Sequence, residues 1–348
     1  MESVLNREEF IDSSKGIGII LVILGHCLNK NYWPFHIIFT FHMPLFFFLS
    51  GMVSKVDLSF LTLIKKRVHS LVVPYFCFFV LGLLLTVIVP DWLSCFTLQG
   101  VIKDFFYADP ENVHNSSIWF LICLFGVQLL FLCIAKLPIW IQLATLSSLY
   151  VLGSVYIHQL ISMTGLDRLP MNIDVVPVAV FLFAMGYYAK ESINSFRKNY
   201  GWMIIVGVGL VVISYRLNGY VNLHGLNFGN PVLYLIGGLG GSIMVIGISL
   251  ALEHVAGVMR RLKLVVQYYG NHSLIILGVQ SLLIRLYVVF QAHRGIELKM
   301  YDFPKLESLI CFILVAFVEV PVICFLYDRI VIFKKGKKQD NVGETNAE

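Results

Sequence analysis

The feature that most constrains this chain is a succession of long apolar runs, each close to the thickness of a bilayer core and nearly free of charge. A helix that is apolar on every side has no stable surface in water, so such helices must be bordered by lipid or by one another. Runs of this kind lie at about 14–30, 35–54, 68–89, 118–135, 138–157, 175–190, 201–217, 232–252, 273–290 and 306–330. Of the 348 residues, 58% are apolar and only 14% charged, whereas a soluble domain averages about 25% charged. The expected fold class is therefore all-α, a polytopic integral membrane bundle of about ten transmembrane helices. One membrane domain is expected over 1–333, with a basic, then polar, disordered tail over 334–348.

Charge orients the bundle. With the N-terminus in the cytoplasm, eighteen of the 26 Lys and Arg fall on inner segments, seven on outer ones, and Arg285 lies within a span. This follows the positive-inside rule, and one missed span would invert every later loop. Both termini are therefore expected in the cytoplasm. The same bias explains the net charge of +5 without nucleic acid as a partner. The first residues, MESVLNREEFID, offer neither a basic start nor a small-residue cleavage site, so the first span is expected to remain in the membrane. The cysteines lack CxxC spacing, and neither a metal site nor a disulfide framework is indicated.

Chemistry concentrates between Asp12 and Gly51. Lys15 opens the first span and His26 follows eleven residues later, which returns to nearly the same helix face about 16 Å away. His42 enters the second span from the outside and approaches the depth of His26. A neutral imidazole near a hydroxyl can take its proton and return it to a leaving group. A histidine bonded to a neighbouring helix for packing is the alternative, and the shared depth of two histidines favours chemistry. Lys15 is by itself an ordinary helix-end anchor. Arg285 and Glu319, deep in the last two spans, suit either a buried ion pair or a place in the site. Trp119 suits an interfacial anchor. The run Gly237–Gly241 sits in an apolar span, which indicates close helix packing rather than a nucleotide loop. Phe105-Phe106-Tyr107 suggests that part of the long outer loop lies on the membrane or folds back onto the bundle. Asn115-Ser116-Ser117 and Asn271-His272-Ser273 match the short glycosylation acceptor pattern. Outer-loop residues such as His158, Asp167, Arg168, Asn222 and His224 form the mixed polar and aromatic surface that carbohydrate favours; ordinary solvated loop is the other reading.

Several of these stretches resemble a known family. Lys15, ten residues, then His26 is similar to the Arg/Lys-x10-His motif of the membrane acyltransferase 3 family. Asp12-Ser13-Ser14-Lys15-Gly16, Leu24-Gly25-His26 and Phe41-His42-Met43-Pro44 through Ser50-Gly51 resemble its fucose 4-O-acetylase-related O-acetyltransferase branch. Pro74-Tyr75, Trp119-Phe120-Leu121 and Gly270-Asn271-His272-Ser273 resemble it also. The resemblance implies an integral membrane O-acyltransferase that moves acetyl from acetyl-CoA to a hydroxyl of a cell-surface glycan or its sugar precursor, in the inner (plasma) membrane of a bacterium. It gives His26 and His42 catalytic positions, His26 as general base or as transient acetyl carrier. Lys15, with the basic patch Lys65-Lys66-Arg67 and also Arg260-Arg261, would hold the donor phosphates; Asp12, Trp119, Arg285 and Glu319 are further candidates. The implied partners are membrane lipid, a glycan or lipid-linked sugar, and glycan-synthesis proteins. One departure stands out. Relatives often carry a histidine about seven residues into span nine, where this chain has Gln280 or its neighbours. An exporter or flippase for a glycan or lipid-linked sugar is the alternative function, and a subunit of a polysaccharide-synthesis complex a third.

Overall fold

The computed structural model describes residues 2–56, 59–93, 96–107 and 113–330. The tail expected over 334–348, and Asp109 and Glu111 of the long loop, lie outside the described residues. Ten helices are long and apolar enough to cross a membrane: α1 (Glu9–Cys27), α2 (Trp33–Met52), α3 (Leu61–Ile88), α4 (Ser116–Ile134), α5 (Ile139–Met163), α6 (Pro170–Ile193), α7 (Arg197–Asn218), α8 (Pro231–Glu253), α9 (Ser273–His293) and α10 (Lys305–Ile330). Among the described residues the β-contacts are confined to an isolated bridge between Asn222 and Asn227.

Two boundaries and one connection differ from the expected ones for local reasons. The helix of α1 continues back to Glu2, because the polar lead contains good helix formers and no breaker. Span three opens at Leu61, so Lys65, Lys66 and Arg67 stand on a helix rather than in a loop. A π-helical turn at Val68–Val72 follows them at once. Between α8 and α9, where hydropathy suggested only a connection, lies a helix over Val258–Asn271. Its mixed polar and apolar faces hid it from a reading tuned to continuous apolar runs.

Contact between elements is closest where side chains vanish. A Cβ on Gly270 would stand 1.8 Å from the Asp12 carbonyl oxygen, and one on Gly16 would stand 1.9 Å from that of Val266. The Val258–Asn271 helix therefore lies backbone to backbone across α1, and the Lys263 ammonium ties it to Glu9 at 2.7 Å. This crossing fixes the turn that bears Lys15. The Gly237–Gly241 run behaves as expected: Gly238 meets the Pro44 ring, and Gly241 meets Phe41. It seats α2 directly on α8.

The long connection after α3 folds back. Its helix Leu98–Tyr107 packs Phe105 against the core, and the Tyr75 hydroxyl donates to the Phe105 carbonyl at 2.9 Å. Asn115 is buried, and its amide donates to the carbonyls of Gly278 (2.9 Å) and Phe78 (3.2 Å). It is a structural link between α3, α4 and α9, so the acceptor pattern there is coincidental.

Candidate active site

Five helices surround one passage, α3 contributing Lys66, Arg67, Ser70 and Leu71 at one end. Along α1 the lining side chains run from Lys15 and Ile19 to Val22 and His26; along α2, in the opposite chain direction, from Ser50 and Phe46 through Met43 to His42 and Phe39. Helices α4 and α9 complete it with Gln128, Leu124 and Trp119, and with Ser273, Leu274 and Leu277. The passage consists of two cavities. The first, about 420 Å³, opens at the basic end; the second, about 80 Å³, lies toward the far end. Met43 and Leu277 line both.

The basic cavity carries Lys15, Lys55, Lys66 and Arg67. Lys15 lies 3.6 Å from Asp12 across one helical turn. Two of its lining residues hold a polar atom that is buried without a hydrogen-bond partner among the described residues, Arg67 Nε and Gln128 Oε1. A buried donor and a buried acceptor left unmet are costly in a folded chain, and both belong to residues that line this cavity.

The far cavity brings the two histidines together. His42 Nδ1 lies 2.8 Å from the Ile38 carbonyl oxygen, which can only accept. The neutral ring therefore carries its proton on Nδ1 and leaves Nε2 as an acceptor. His26 Nδ1 lies 3.0 Å from Gln280 Oε1, while the other arm of the same amide donates to Ser117 Oγ. That pair fixes the same tautomer on His26. Gln280 and Ser117 are buried, and Ser281 Oγ donates to Asn115 Oδ1 at 2.8 Å, which holds the start of α4 against α9.

Outer connections close the cavity. Tyr301 takes φ 63°, a conformation that a bulky residue adopts only under constraint. The Lys30 amide donates to its carbonyl at 2.8 Å, and Asn29 donates to Asp302 at 2.8 Å. So held, the Tyr301 ring stands edge-on to His26, with centroids 5.7 Å apart. Burial pushes its phenol up to about 12, so it remains a hydroxyl donor. His224 stacks on Trp119 at 4.6 Å, and its Nε2 accepts from Arg168 Nη1 at 3.0 Å. Arg168 is in turn paired with the fully buried Asp174 at 3.1 Å. Burial, then the Arg168 charge, holds His224 well below the usual imidazole range.

The candidates named from sequence thus divide. His26 and His42 meet in the far cavity, and Lys15, Lys66 and Arg67 line the basic one. Lys65 is exposed beside that cavity and does not line it. Arg260 and Arg261 are exposed on the Val258–Asn271 helix. Asp12 acts through Lys15 and as the backbone seat of Gly270. Trp119 is buried, with a wall of the far cavity as its place rather than a membrane interface. The Arg285 charge acts on His26 and Tyr301, and that of Glu319 acts on Cys27. Glu319 Oε2 is buried and accepts no hydrogen bond among the described residues. Gln128 and Tyr301 gave no signal in sequence, and Ser117 gave one only as part of the acceptor pattern. Gln280 gave one, as the residue at or beside which the family resemblance suggests a histidine.

The profile of the acyltransferase domain family matches residues 8–328, nearly the whole chain. Nodulation protein NolL of Sinorhizobium fredii (strain NBRC 101917 / NGR234) is 38% identical over 82 residues, which cover 20% of this chain and 22% of that protein. The chain thus aligns with about a fifth of the length of this curated relative. No solved structure matches the chain.

Proposed function

The chain belongs to the acyltransferase domain family, and from that premise we propose that this multi-pass membrane protein is an O-acetyltransferase, which carries acetyl from acetyl-CoA to a hydroxyl of a cell-surface glycan or its sugar precursor. The observation that carries the proposal is the pair of cavities that meet at one wall, the first basic and the second holding two tautomer-fixed histidines. Acetyl-CoA enters from the basic end, which the positive-inside rule puts in the cytoplasm. Lys15, Lys66 and Arg67 receive its phosphates by charge-assisted hydrogen bonds. The Gln128 carbonyl oxygen accepts from an amide N–H of the pantetheine arm. The roughly 16 Å from Lys15 to His26 suits the length of that arm, so the thioester reaches the histidines while the nucleotide stays at the mouth.

In the transfer step, His26 Nε2 takes the proton of the acceptor hydroxyl as its oxygen attacks the thioester carbonyl carbon. His42 Nε2, an acceptor, receives a hydrogen bond from a neighbouring hydroxyl of the acceptor sugar and so orients it, and the Tyr301 hydroxyl donates to the developing oxyanion. The new C–O bond stays, the C–S bond breaks, and the imidazolium returns its proton to the departing thiolate. Gln280 keeps His26 in the working tautomer throughout. The membrane is that of a bacterial cell, its inner or plasma membrane, with the acceptor reaching the far cavity from the outer side.

The test uses full-length protein in nanodiscs with labelled acetyl-CoA and acceptor-bearing membranes. Wild type should bind the donor and release CoA as label enters glycan, and His26→Ala should bind but not transfer. Folded wild-type protein that does not bind acetyl-CoA would overturn the proposal and favour a glycan exporter, which needs no donor.

A further inference from the structure

The two cavities are separated by little. On α2, Phe46 faces the basic cavity, His42 the far one, and Met43 both; on α9, Leu274 faces the basic cavity and Leu277 both. Met43 and Leu277 are each 8% exposed. Gln280, which holds His26, sits one helical turn beyond Leu277. Any group that travels from the basic cavity to the histidines must pass these two side chains. Both are apolar. Methionine, unbranched and with three rotatable bonds, moves aside at small cost. Leucine on a packed helix is stiffer. Beyond them the chamber of about 80 Å³ must hold the reacting carbon, its oxyanion and the incoming hydroxyl.

We propose that Met43 and Leu277 form the gate that the acyl group crosses, and that with the small chamber behind them they restrict the transferred group to acetyl or propionyl. The inference rests on the acyl-transfer reading and names the specificity element within it. A longer chain enters the gate, but its tail stays between the two side chains and holds the thioester carbon short of His26. Longer donors therefore bind at the basic mouth and fail at the transfer step. Discrimination of this kind, by one or two methylenes against an apolar wall, is on the order of 10- to 200-fold.

The test measures transfer from acetyl-, butyryl- and octanoyl-CoA by full-length protein in nanodiscs with acceptor-bearing membranes, beside binding of CoA itself. Wild type should transfer acetyl and exclude butyryl. Leu277→Ala and Met43→Ala should each raise the butyryl-to-acetyl ratio about tenfold or more. Leu277→Phe should lose acetyl transfer while CoA binding stays, a result that simple unfolding could not give. Acetyl transfer with an unchanged ratio in both alanine variants would overturn the gate and leave the acyl-transfer reading standing. No transfer from any donor by folded wild type would overturn both.

Discussion

His26 Nδ1 and Gln280 Oε1 lie 3.0 Å apart, although 254 positions separate them in the chain. The contact gives an amide, at or beside the place where the family resemblance suggests a histidine, the task of setting the proton on the His26 ring. Replacing Gln280 with leucine should lower the acetyl-transfer rate constant about 10²-fold, the scale seen when a group that orients a histidine is removed, with KM for acetyl-CoA little changed. Gln280→Glu, which keeps an acceptor, should retain more activity than Gln280→Leu. Equal rates in the two variants would remove the tautomer role.

At the basic end, Lys15→Ala and Arg67→Ala should each raise KM for acetyl-CoA about tenfold, as expected for one charge-assisted bond to phosphate. Lys65→Ala should leave it unchanged, because that side chain does not line the cavity. Gln128→Leu should raise KM as well, but equally for acetyl-CoA and for acetyl-pantetheine, which lacks the nucleotide. Titration of donor binding for the four variants separates these outcomes.

The His224 imidazole supplies a pH prediction. Burial and the Arg168 charge depress its folded-state pKa, whereas in the unfolded chain it titrates near about 6.5. Below that value the unfolded state takes a proton that the folded state refuses, so stability falls as pH drops under about 6.5. Above it the term vanishes. Thermal unfolding of the wild type should show this acid-side slope between pH 6.5 and 5, and His224→Phe, which can still stack on Trp119, should flatten it. An identical slope in the variant would refute the assignment.

Packing can be tested apart from catalysis at Gly270, where an added methyl would meet the Asp12 carbonyl at 1.8 Å. Gly270→Ala should destabilise the protein by about 1–3 kcal/mol, the usual scale of overpacking, and should also weaken donor binding because it shifts the turn that carries Lys15. A variant with wild-type melting and wild-type donor affinity would show that this crossing is looser than described.

The ten spans were legible in the sequence because continuous hydropathy is a local property, and all ten were found within a few residues or one or two turns. Lys15 and His26 were legible for a related reason, since one helix fixes their spacing. Their surroundings were not. Gln280, Ser117 and Tyr301 meet around His26 only through contacts between distant segments, and nothing in their own neighbourhoods announces that meeting. Lys65 and Lys66 are adjacent and chemically alike, yet a turn of about 100° per residue puts Lys66 on the cavity lining and leaves Lys65 off it. Trp119 read as an interfacial anchor because position along a span is visible and direction around it is not.

The wall of Met43 and Leu277 has a consequence for the cell as well as for the reaction. A continuous water-filled path between cytoplasm and exterior would short-circuit the ion gradients that energise the membrane. An apolar partition that yields to one small uncharged acyl group, and closes behind it, lets carbon cross while protons and metal ions stay on their own side. On the acyl-transfer reading proposed above, such a partition would let the protein decorate an outer surface from an internal donor without becoming a channel.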